Sequence, residues 1–150
     1  MKFAVPFAIA AALLTLSSPA SAQFAKPEDA VKYRQSVMFV MSQHFGRIGA
    51  MANGRAPYDA KVATDNAEIV AEMSQLPWPA FTANTDKLSQ KAKSEIWSEP
   101  AKFKEHNEKL MDSTGKLLAA AKTNSFDNLK SAFGNTAQTC KGCHDNFRNQ

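Results

Sequence analysis

Four stretches of the chain repeat their hydrophobic residues with a spacing near 3.5, which is the pattern of a helix with one buried face. The first stretch begins at Pro27, because proline is favoured at a helix start, and two acidic residues follow it. It ends near Met51, where Asn53 and Gly54 predict a stop. Its predicted inner face contains Val31, Arg34, Met38, Met41, Phe45 and Ile48.

The second stretch follows Pro57 and continues to Leu76, where Pro77 and Pro79 predict its end. Its predicted inner face contains Val62, Asn66, Ile69, Met73 and Leu76. The segment after it, as far as residue 97, is expected to be irregular. A connection of this length in a small domain is expected to be either functional or mobile.

The third and fourth stretches fill the rest of the chain. The third begins near Glu99 with Ser98 as its predicted N-cap, and the fourth follows Asn124 and Ser125. Gly134 lies inside the fourth stretch and weakens the prediction of an unbroken helix there. The predicted inner faces contain Phe103, Leu110, Leu117 and Ala121 in the third stretch, and Phe126, Leu129, Phe133, Ala137, Cys140, His144 and Phe147 in the fourth.

These four stretches predict an all-α fold. Strand signals are nearly absent, because the chain shows no sustained alternation of polar and apolar residues with period two. Helices of similar length, with three-to-four spacing and mostly short links, favour an antiparallel up-down-up-down four-helix bundle.

The first 22 residues have the three-part layout of a secretory signal peptide. A lysine supplies the positive charge, residues 3–16 form an almost unbroken apolar run, and the Ala-Ser-Ala at residues 20–22 is a small-residue cleavage site. A membrane anchor needs about 20 apolar residues, so the shorter run favours cleavage after Ala22. We therefore predict a mature domain of residues 23–150, exported to the periplasm and not inserted in a membrane.

Composition narrows the class of protein. The chain has 150 residues, enough for one ordinary domain and too few for two. A charged fraction of only 21 % with ten phenylalanines excludes a disordered chain. The formal charge is +4 and the basic residues are scattered, so a dedicated nucleic-acid-binding protein is not expected.

Both cysteines lie in the pentapeptide Cys140-Lys141-Gly142-Cys143-His144, and Cys-x-x-Cys-His is the attachment motif of c-type haem. Positions three apart on a helix lie on the same side, so both thiols can reach the two vinyl groups of one porphyrin. The adjacent histidine is then placed to bind the iron axially. The motif predicts one covalently attached haem c.

Other uses of the motif are weaker. A disulfide between cysteines three apart would close a tiny loop and stabilise little. A thioredoxin-like redox pair is expected beside a βαβ unit, and no strand signal is present. A zinc site needs four ligands, and Cys140, Cys143 and His144 supply three with no obvious fourth. A bundle without haem, used as an interaction module, is a further alternative.

Arg34 lies on the predicted inner face of the first helix, between Val31 and Met38. An unpaired charge there would cost on the order of several kcal/mol, so Arg34 needs an anion. A helix carboxylate is one candidate. If haem is present, its propionates suit the planar guanidinium.

The predicted mature chain resembles the cytochrome c′ family, the class II c-type cytochromes. The resemblance rests on Lys32-Tyr33-Arg34-Gln35 with Met41, His44-Phe45-Gly46-Arg47, Leu76-Pro77-Trp78, Glu95-Ile96-Trp97 and the segment Cys140–Arg148. It implies a four-helix bundle that encloses a covalent haem. It also implies that Cys140 and Cys143 hold the haem and that His144 is the proximal iron ligand.

The resemblance implies further roles. Arg34 and Gln35 would lie at the haem propionates, and Glu95 would be a haem neighbour. Arg148 would lie on the proximal side and bias the hydrogen bonding of the axial histidine. A homodimer formed through the first two helices is also implied. Val40 lies off the predicted inner face of the first helix and is a candidate contact.

The function depends on the sixth coordination position of the iron. In the family a bulky side chain of the first helix usually covers this position without ligating, so the iron is five-coordinate and binds nitric oxide or carbon monoxide. Met38 matches this position, and a thioether can either ligate haem iron or fill a gap in a helical core. We predict that Met38 packs over the iron of a gas-binding protein that also undergoes one-electron redox. The alternative is a six-coordinate low-spin electron carrier with Met38 as sixth ligand and periplasmic redox partners.

The remaining polar residues indicate no catalytic site. His44 and His106 are expected at the surface or as capping residues. No nucleophile–base pair, phosphate loop or carboxylate dyad is visible in the sequence, so enzymatic turnover is not expected.

Overall fold

The structure is a computed structural model that describes residues 23–149, so the predicted signal peptide lies outside the described residues. Four long helices dominate it: α1 (Pro27–Ala52), α2 (Ala60–Met73), α4 (Pro100–Lys122) and α5 (Phe126–Phe147). The connection between α2 and α4 contains the 3₁₀ turns Trp78–Ala80 and Ala83–Leu88 and the one-turn helix α3 (Glu95–Ser98).

The four long helices form the predicted bundle. Helix α1 packs against α2 and α5, and α4 packs against the same two helices. The links at residues 53–59 and 123–125 are short, so the helices that they join run antiparallel. Residues 23–149 contain no strand, only an isolated bridge between Ala92 and Arg148.

The predicted start of α5 is confirmed, and both predicted ends of α1 are correct to within one residue. Helix α1 begins at Pro27, and the chain leaves it through Gly54, whose φ of 69° lies in the left-handed region that glycine tolerates. The Ser125 side chain accepts a hydrogen bond of 3.3 Å from the backbone N–H of Asn128 and so caps α5. Helix α5 continues without a break through Gly134.

The prediction for α2 was wrong at its end and only partly right on its inner face, where Asn66 is buried and Met73 is half-buried. The helix ends at Met73 rather than Leu76, and Leu76 is exposed, as is Val62. The buried face contains Asn66, as predicted, but its other members are Ala63, Ala67 and Val70. Small side chains allow α2 to approach both α1 and α4. The spacing of large hydrophobic residues does not identify such alanines as buried.

Ser98 is not the N-cap of the third long helix. It ends α3, and Glu99 precedes Pro100 without any side-chain cap bond. Proline at the first helical position has no N–H to satisfy, so the start of α4 depends less on a capping side chain.

Two hydrophobic clusters fill the interior. The larger one, called the main cluster below, lies between the long helices; the smaller one, the second cluster, lies where the connection covers one end of the bundle. Trp78 packs against both. The buried members are Met41, Ile48, Met51, Ala63, Ala67, Val70, Leu110, Leu117, Ala121 and Leu129 in the main cluster, and Ile96, Phe103 and Phe147 in the second.

The connection is also bonded to the end of α5. The backbone N–H of Lys93 donates to the carbonyl oxygen of Phe147 at 3.0 Å. The backbone N–H of Asn149 donates to the carbonyl oxygen of Lys91 at 3.1 Å. The side-chain amide of Asn149 donates to the carbonyl oxygen of Gln90 at 2.8 Å. We call these bonds between residues 90–93 and 147–149 the C-terminal clamp. No helix within residues 23–149 is long and apolar enough to cross a membrane.

Candidate functional site

The Cys-x-x-Cys-His motif occupies the last two turns of α5. Cys140 and Cys143 are both free thiols and both half-buried, one helical turn apart. Cys140 packs against the main cluster, whereas Cys143 packs against the second cluster. The two thiols therefore project from one side of α5 toward the place where the two clusters meet.

The electrostatic surroundings of the thiols keep them protonated. Burial raises the pKa of Cys140, and burial followed by the nearby Cys140 raises the pKa of Cys143 to about 11. A catalytic redox pair instead lowers the pKa of its attacking thiol, because the thiolate is the nucleophile. These surroundings do not favour the thioredoxin-like alternative.

His144 lies at the rim of the motif and is exposed, so its predicted place on the inner face of α5 was wrong. It borders a surface depression of about 280 Å³ together with Asp145, Arg148 and Asn149. Partial burial lowers the pKa of His144, and the positive charge of Arg148 lowers it further, while Asp145 opposes both. The imidazole is therefore biased toward the neutral form, which is the form that ligates metals. Among residues 23–149, no three His, Cys, Asp or Glu side chains form a group that could hold a metal ion.

Arg34 is 3 % exposed, as its place on the inner face of α1 predicts. Its Nη1 donates to the carbonyl oxygen of Ala80 at 2.9 Å and to Oγ1 of Thr85 at 2.7 Å. Its Nη2 is buried and has no hydrogen-bond partner within the described part of the chain. Burial lowers the pKa of Arg34, which expresses the cost of a buried cation without an anion.

The alternative partner for Arg34, a helix carboxylate, is not found. None of the ion pairs among residues 23–149 includes Arg34. Aromatic rings lie over its guanidinium instead. Cζ of Arg34 is 4.4 Å from the ring centroid of Phe81 and 5.7 Å from that of Trp97. The buried Nη2 edge is left for an acceptor that the described residues do not supply.

The comparisons with known proteins agree with this arrangement. A family profile described as Cytochrome C′ matches residues 29–148. The chain belongs to the cytochrome c′ family. The predicted family membership is therefore confirmed.

Individual cytochromes c′ match over nearly their whole length. That of Rubrivivax gelatinosus is 48 % identical over 127 residues, which cover 84 % of this chain and 98 % of the relative. Its crystal structure aligns with a TM-score of 0.81 over 85 % of this chain and all of that chain. Cytochrome c′ of Alcaligenes xylosoxydans xylosoxydans is 47 % identical over 126 residues, which cover 84 % of this chain and 98 % of that relative. The structure of a nitric oxide complex of a variant of cytochrome c prime from Alcaligenes xylosoxidans is 45 % identical in sequence. It aligns with a TM-score of 0.80 over 85 % of this chain and all of that chain.

Cytochromes c′ carry covalently bound haem c, and two features of this member fit that group. The first is the pair of half-buried thiols on one side of α5. The second is the buried Nη2 of Arg34, a donor that lacks an acceptor and is suited to a propionate. The zinc and interaction-module alternatives account for neither the family membership nor this orphaned cation.

The other predicted site residues differ in burial. Met38 is half-buried and packs against the main cluster. Gln35 is exposed on α1, next in sequence to the buried Arg34. Glu95 is exposed at the start of α3, and its carboxylate accepts a hydrogen bond from Ser94 at 3.2 Å.

Two histidines differ from expectation. His44 is half-buried, and its Nδ1 lies 2.9 Å from Oδ1 of the buried Asn66, so it links α1 to α2 rather than capping a helix. His106 is also half-buried and meets the ring of Phe147 edge-on, with centroids 5.4 Å apart. Sequence reasoning missed Thr85 as well, because nothing in its local sequence marks it as a partner of Arg34.

Proposed function

We propose that this member of the cytochrome c′ family is an exported haem protein that binds nitric oxide and carbon monoxide at an open coordination position of its iron. Cys140 and Cys143 would hold the haem through two thioethers, and His144 would ligate its iron. The bound haem supplies the gas-binding position and one-electron redox chemistry. One observation carries the proposal: the complete attachment motif stands at the end of α5 in a chain that aligns with cytochromes c′ over residues 29–148.

The chain's own residues would orient the haem in its site. Arg34 offers its buried Nη2 to a propionate, which removes the cost of leaving that donor unpaired. Gln35 and Glu95 stand at exposed positions, where they can contact the polar edge of the haem. His144 is biased toward the neutral form by burial and by Arg148, so its ring nitrogen is free to ligate.

Met38 decides between gas binding and electron carriage. Its side chain packs against the main cluster, which supports a role as a hydrophobic cover over the open side of the iron. The nitric oxide complexes described for Alcaligenes xylosoxidans cytochrome c prime support the same interpretation. The proposed activity is capture of small gases and passage of single electrons, without catalytic turnover.

A six-coordinate electron carrier is the second candidate. One observation favours it: Met38 and Arg34 stand four residues apart on α1, so they share a helix side, and a thioether can ligate haem iron. In that case the partners would be periplasmic redox proteins rather than gases.

We further propose that residues 1–22 are removed after Ala22 and that the mature domain, residues 23–150, acts in the periplasm. We also propose a homodimer formed through α1 and α2. Its support is the exposure of three apolar side chains on these two helices: Phe39 is 63 % exposed, Val40 37 % and Val62 43 %.

An absorption spectrum of the mature protein tests the proposal. The protein is expressed in a host that attaches c-type haem, and spectra are recorded with and without nitric oxide. High-spin bands and uptake of nitric oxide are expected. Low-spin bands with a sulfur-to-iron charge-transfer feature would instead support the electron carrier, and a colourless product would refute both candidates.

A further inference from the structure

Thr85 makes a buried contact with Arg34 across 51 residues of sequence. It lies in the 3₁₀ turn Ala83–Leu88 and is fully buried. Its hydroxyl oxygen accepts the 2.7 Å hydrogen bond from Nη1 of Arg34, and its hydroxyl group donates to the carbonyl oxygen of Thr82, also at 2.7 Å. A hydroxyl has one hydrogen and a guanidinium can only donate, so the direction of both bonds is fixed.

The surroundings of Thr85 support this geometry. The carbonyl oxygen of Thr82 accepts a second hydrogen bond, from Nε1 of Trp97 at 3.0 Å. The ring of Trp97 in turn lies over the guanidinium of Arg34. The same short network therefore contacts the guanidinium of Arg34 twice: Thr85 bonds to its Nη1 edge, and Trp97 covers one of its faces.

Two acceptors on one nitrogen fix more than the position of the guanidinium. Nη1 donates one hydrogen to Ala80 and the other to Thr85, and both hydrogens lie in the guanidinium plane. The plane, and with it the direction of the unpaired Nη2, is therefore set by these two bonds. With the bond to Ala80 alone, the plane could tilt about a single contact.

Resting on the proposed function, we propose that Thr85 is a positioning residue for the haem: it fixes the plane of Arg34 so that Nη2 donates to a haem propionate. Thr85 acts through Arg34, and its hydroxyl is the part of the side chain that matters. The expected consequence is electrostatic. A cation held against a propionate keeps that carboxylate ionised, so a loosened Arg34 lets the propionate take up a proton at higher pH.

The pH dependence of the reduction potential reports this change. The charge on a propionate affects the potential of the iron, so the pH at which the propionate titrates appears as a step in the curve of midpoint potential against pH. We would measure this curve by spectroelectrochemical titration of the haem-loaded protein. The variants are Thr85→Val, which keeps the shape and removes the hydroxyl, and Thr85→Ser, which restores it.

Thr114→Val is the matched control. Thr114 is likewise a buried threonine whose hydroxyl meets another side chain from a different part of the fold, that of Ser74 at 2.9 Å, but it does not contact Arg34. This variant should lower the midpoint of thermal unfolding without moving the potential curve. A general loss of stability is thereby separated from a change at the haem.

The expected result is that Thr85→Val moves the step to higher pH, Thr85→Ser returns it to the parent position, and Thr114→Val leaves it in place. A Thr85→Val curve that superimposes on the parent curve would overturn the proposal. If the valine variant does not mature, Thr85→Ala removes the same hydroxyl and is judged in the same way. A crystal structure of the haem-loaded variant gives a second readout, in which the distance from Nη2 of Arg34 to the propionate should lengthen.

Arg34→Gln distinguishes failure of this inference from failure of the proposed function. If Arg34→Gln moves the step and Thr85→Val does not, the positioning role is wrong while the propionate contact stands. If neither variant moves it, the propionate contact proposed for Arg34 is wrong, and Thr85 has no role at the haem. If the parent protein carries no haem, both proposals are overturned.

Discussion

Gly49 of α1 lies against the ring of Phe133 in α5, and the contact leaves no room for a side chain. A Cβ atom added to Gly49 would stand 2.7 Å from Cζ and 2.9 Å from Cε2 of that ring. The ring is stacked on Phe45, with centroids 4.6 Å apart, so it cannot move away without disturbing that stack. Helices α1 and α5 therefore meet at a point where glycine is the residue that fits.

Gly49→Ala is expected to destabilise the folded protein. Overpacking costs about 1–3 kcal/mol, and the better helix propensity of alanine returns about 1 kcal/mol, so the net loss should be about 0–2 kcal/mol. Gly46→Ala is the control, since nothing lies within 4 Å of a Cβ at that position. Denaturant unfolding should show the first variant less stable and the second equal to the parent or more stable. Equal stability of the two variants would contradict the proposed clash.

The bond between His44 and Asn66 is expected to stabilise the pairing of α1 with α2. The amide of Asn66 already donates to the carbonyl oxygen of Val62 at 2.7 Å, so Nδ1 of His44 must be the donor to Oδ1. His44→Phe leaves a buried acceptor unpaired and should cost about 1–3 kcal/mol. In a double-mutant cycle with Asn66→Leu, the two losses should be less than additive. Strict additivity would show that the bond contributes nothing.

Replacing Met38 tests the open side of the iron. Met38→Leu is expected to leave high-spin bands and nitric oxide uptake unchanged, because the role proposed for the side chain is packing and leucine packs similarly. Met41→Leu, at a buried position of the same helix, is the matched control and should cost less than about 1.5 kcal/mol. A parent protein with low-spin bands that become high-spin in Met38→Leu alone would establish Met38 as a ligand.

The covalent attachment of the haem can be divided between its two cysteines. Cys140→Ser and Cys143→Ser should each retain haem through the remaining thioether, and the double variant should lose covalent haem. Haem staining after denaturing electrophoresis measures this. His144→Gly should keep covalent haem but lose the axial ligand, with the parent spectrum restored by added imidazole. Covalent haem in the double variant would refute the assigned attachment.

The proposed dimer predicts a position-specific effect of charge. Val40→Glu places a charge on the exposed part of α1 and should shift the protein toward monomer in sedimentation experiments. Leu88→Glu is the control, because Leu88 is comparably exposed, at 44 %, but lies in the connection rather than on α1 or α2. If both variants sediment as the parent does, the dimer does not use this part of α1.

The bundle could be predicted from the sequence because local patterns set it. The period of hydrophobic residues identified all four helices, and the proline and serine signals placed the starts of α1 and α5. The buried position of Arg34 followed from the same period. The inner face of α2 could not be predicted from this period. Ala63 and Ala67 each bury little area and become important only through close helix packing.

The network around Arg34 and the C-terminal clamp could not be predicted in this way. Thr85 reaches Arg34 from 51 residues away, and Asn149 reaches Gln90 from 59 residues away. Contacts of this range leave no periodic trace in either segment. They are set by how the connection is laid over the bundle, which only the folded chain reveals.

The connection between α2 and α4 is bonded to the bundle at two separate places, at Arg34 through Ala80 and Thr85, and at the C-terminal clamp. Fraying of a single turn therefore does not lift it from the bundle, since α1 and the end of α5 must release it together. A diatomic molecule can pass by rearrangement of a few side chains, which takes far less time than such a collective opening. For the gas binding proposed above, entry of a diatomic molecule therefore does not require the connection to leave the bundle.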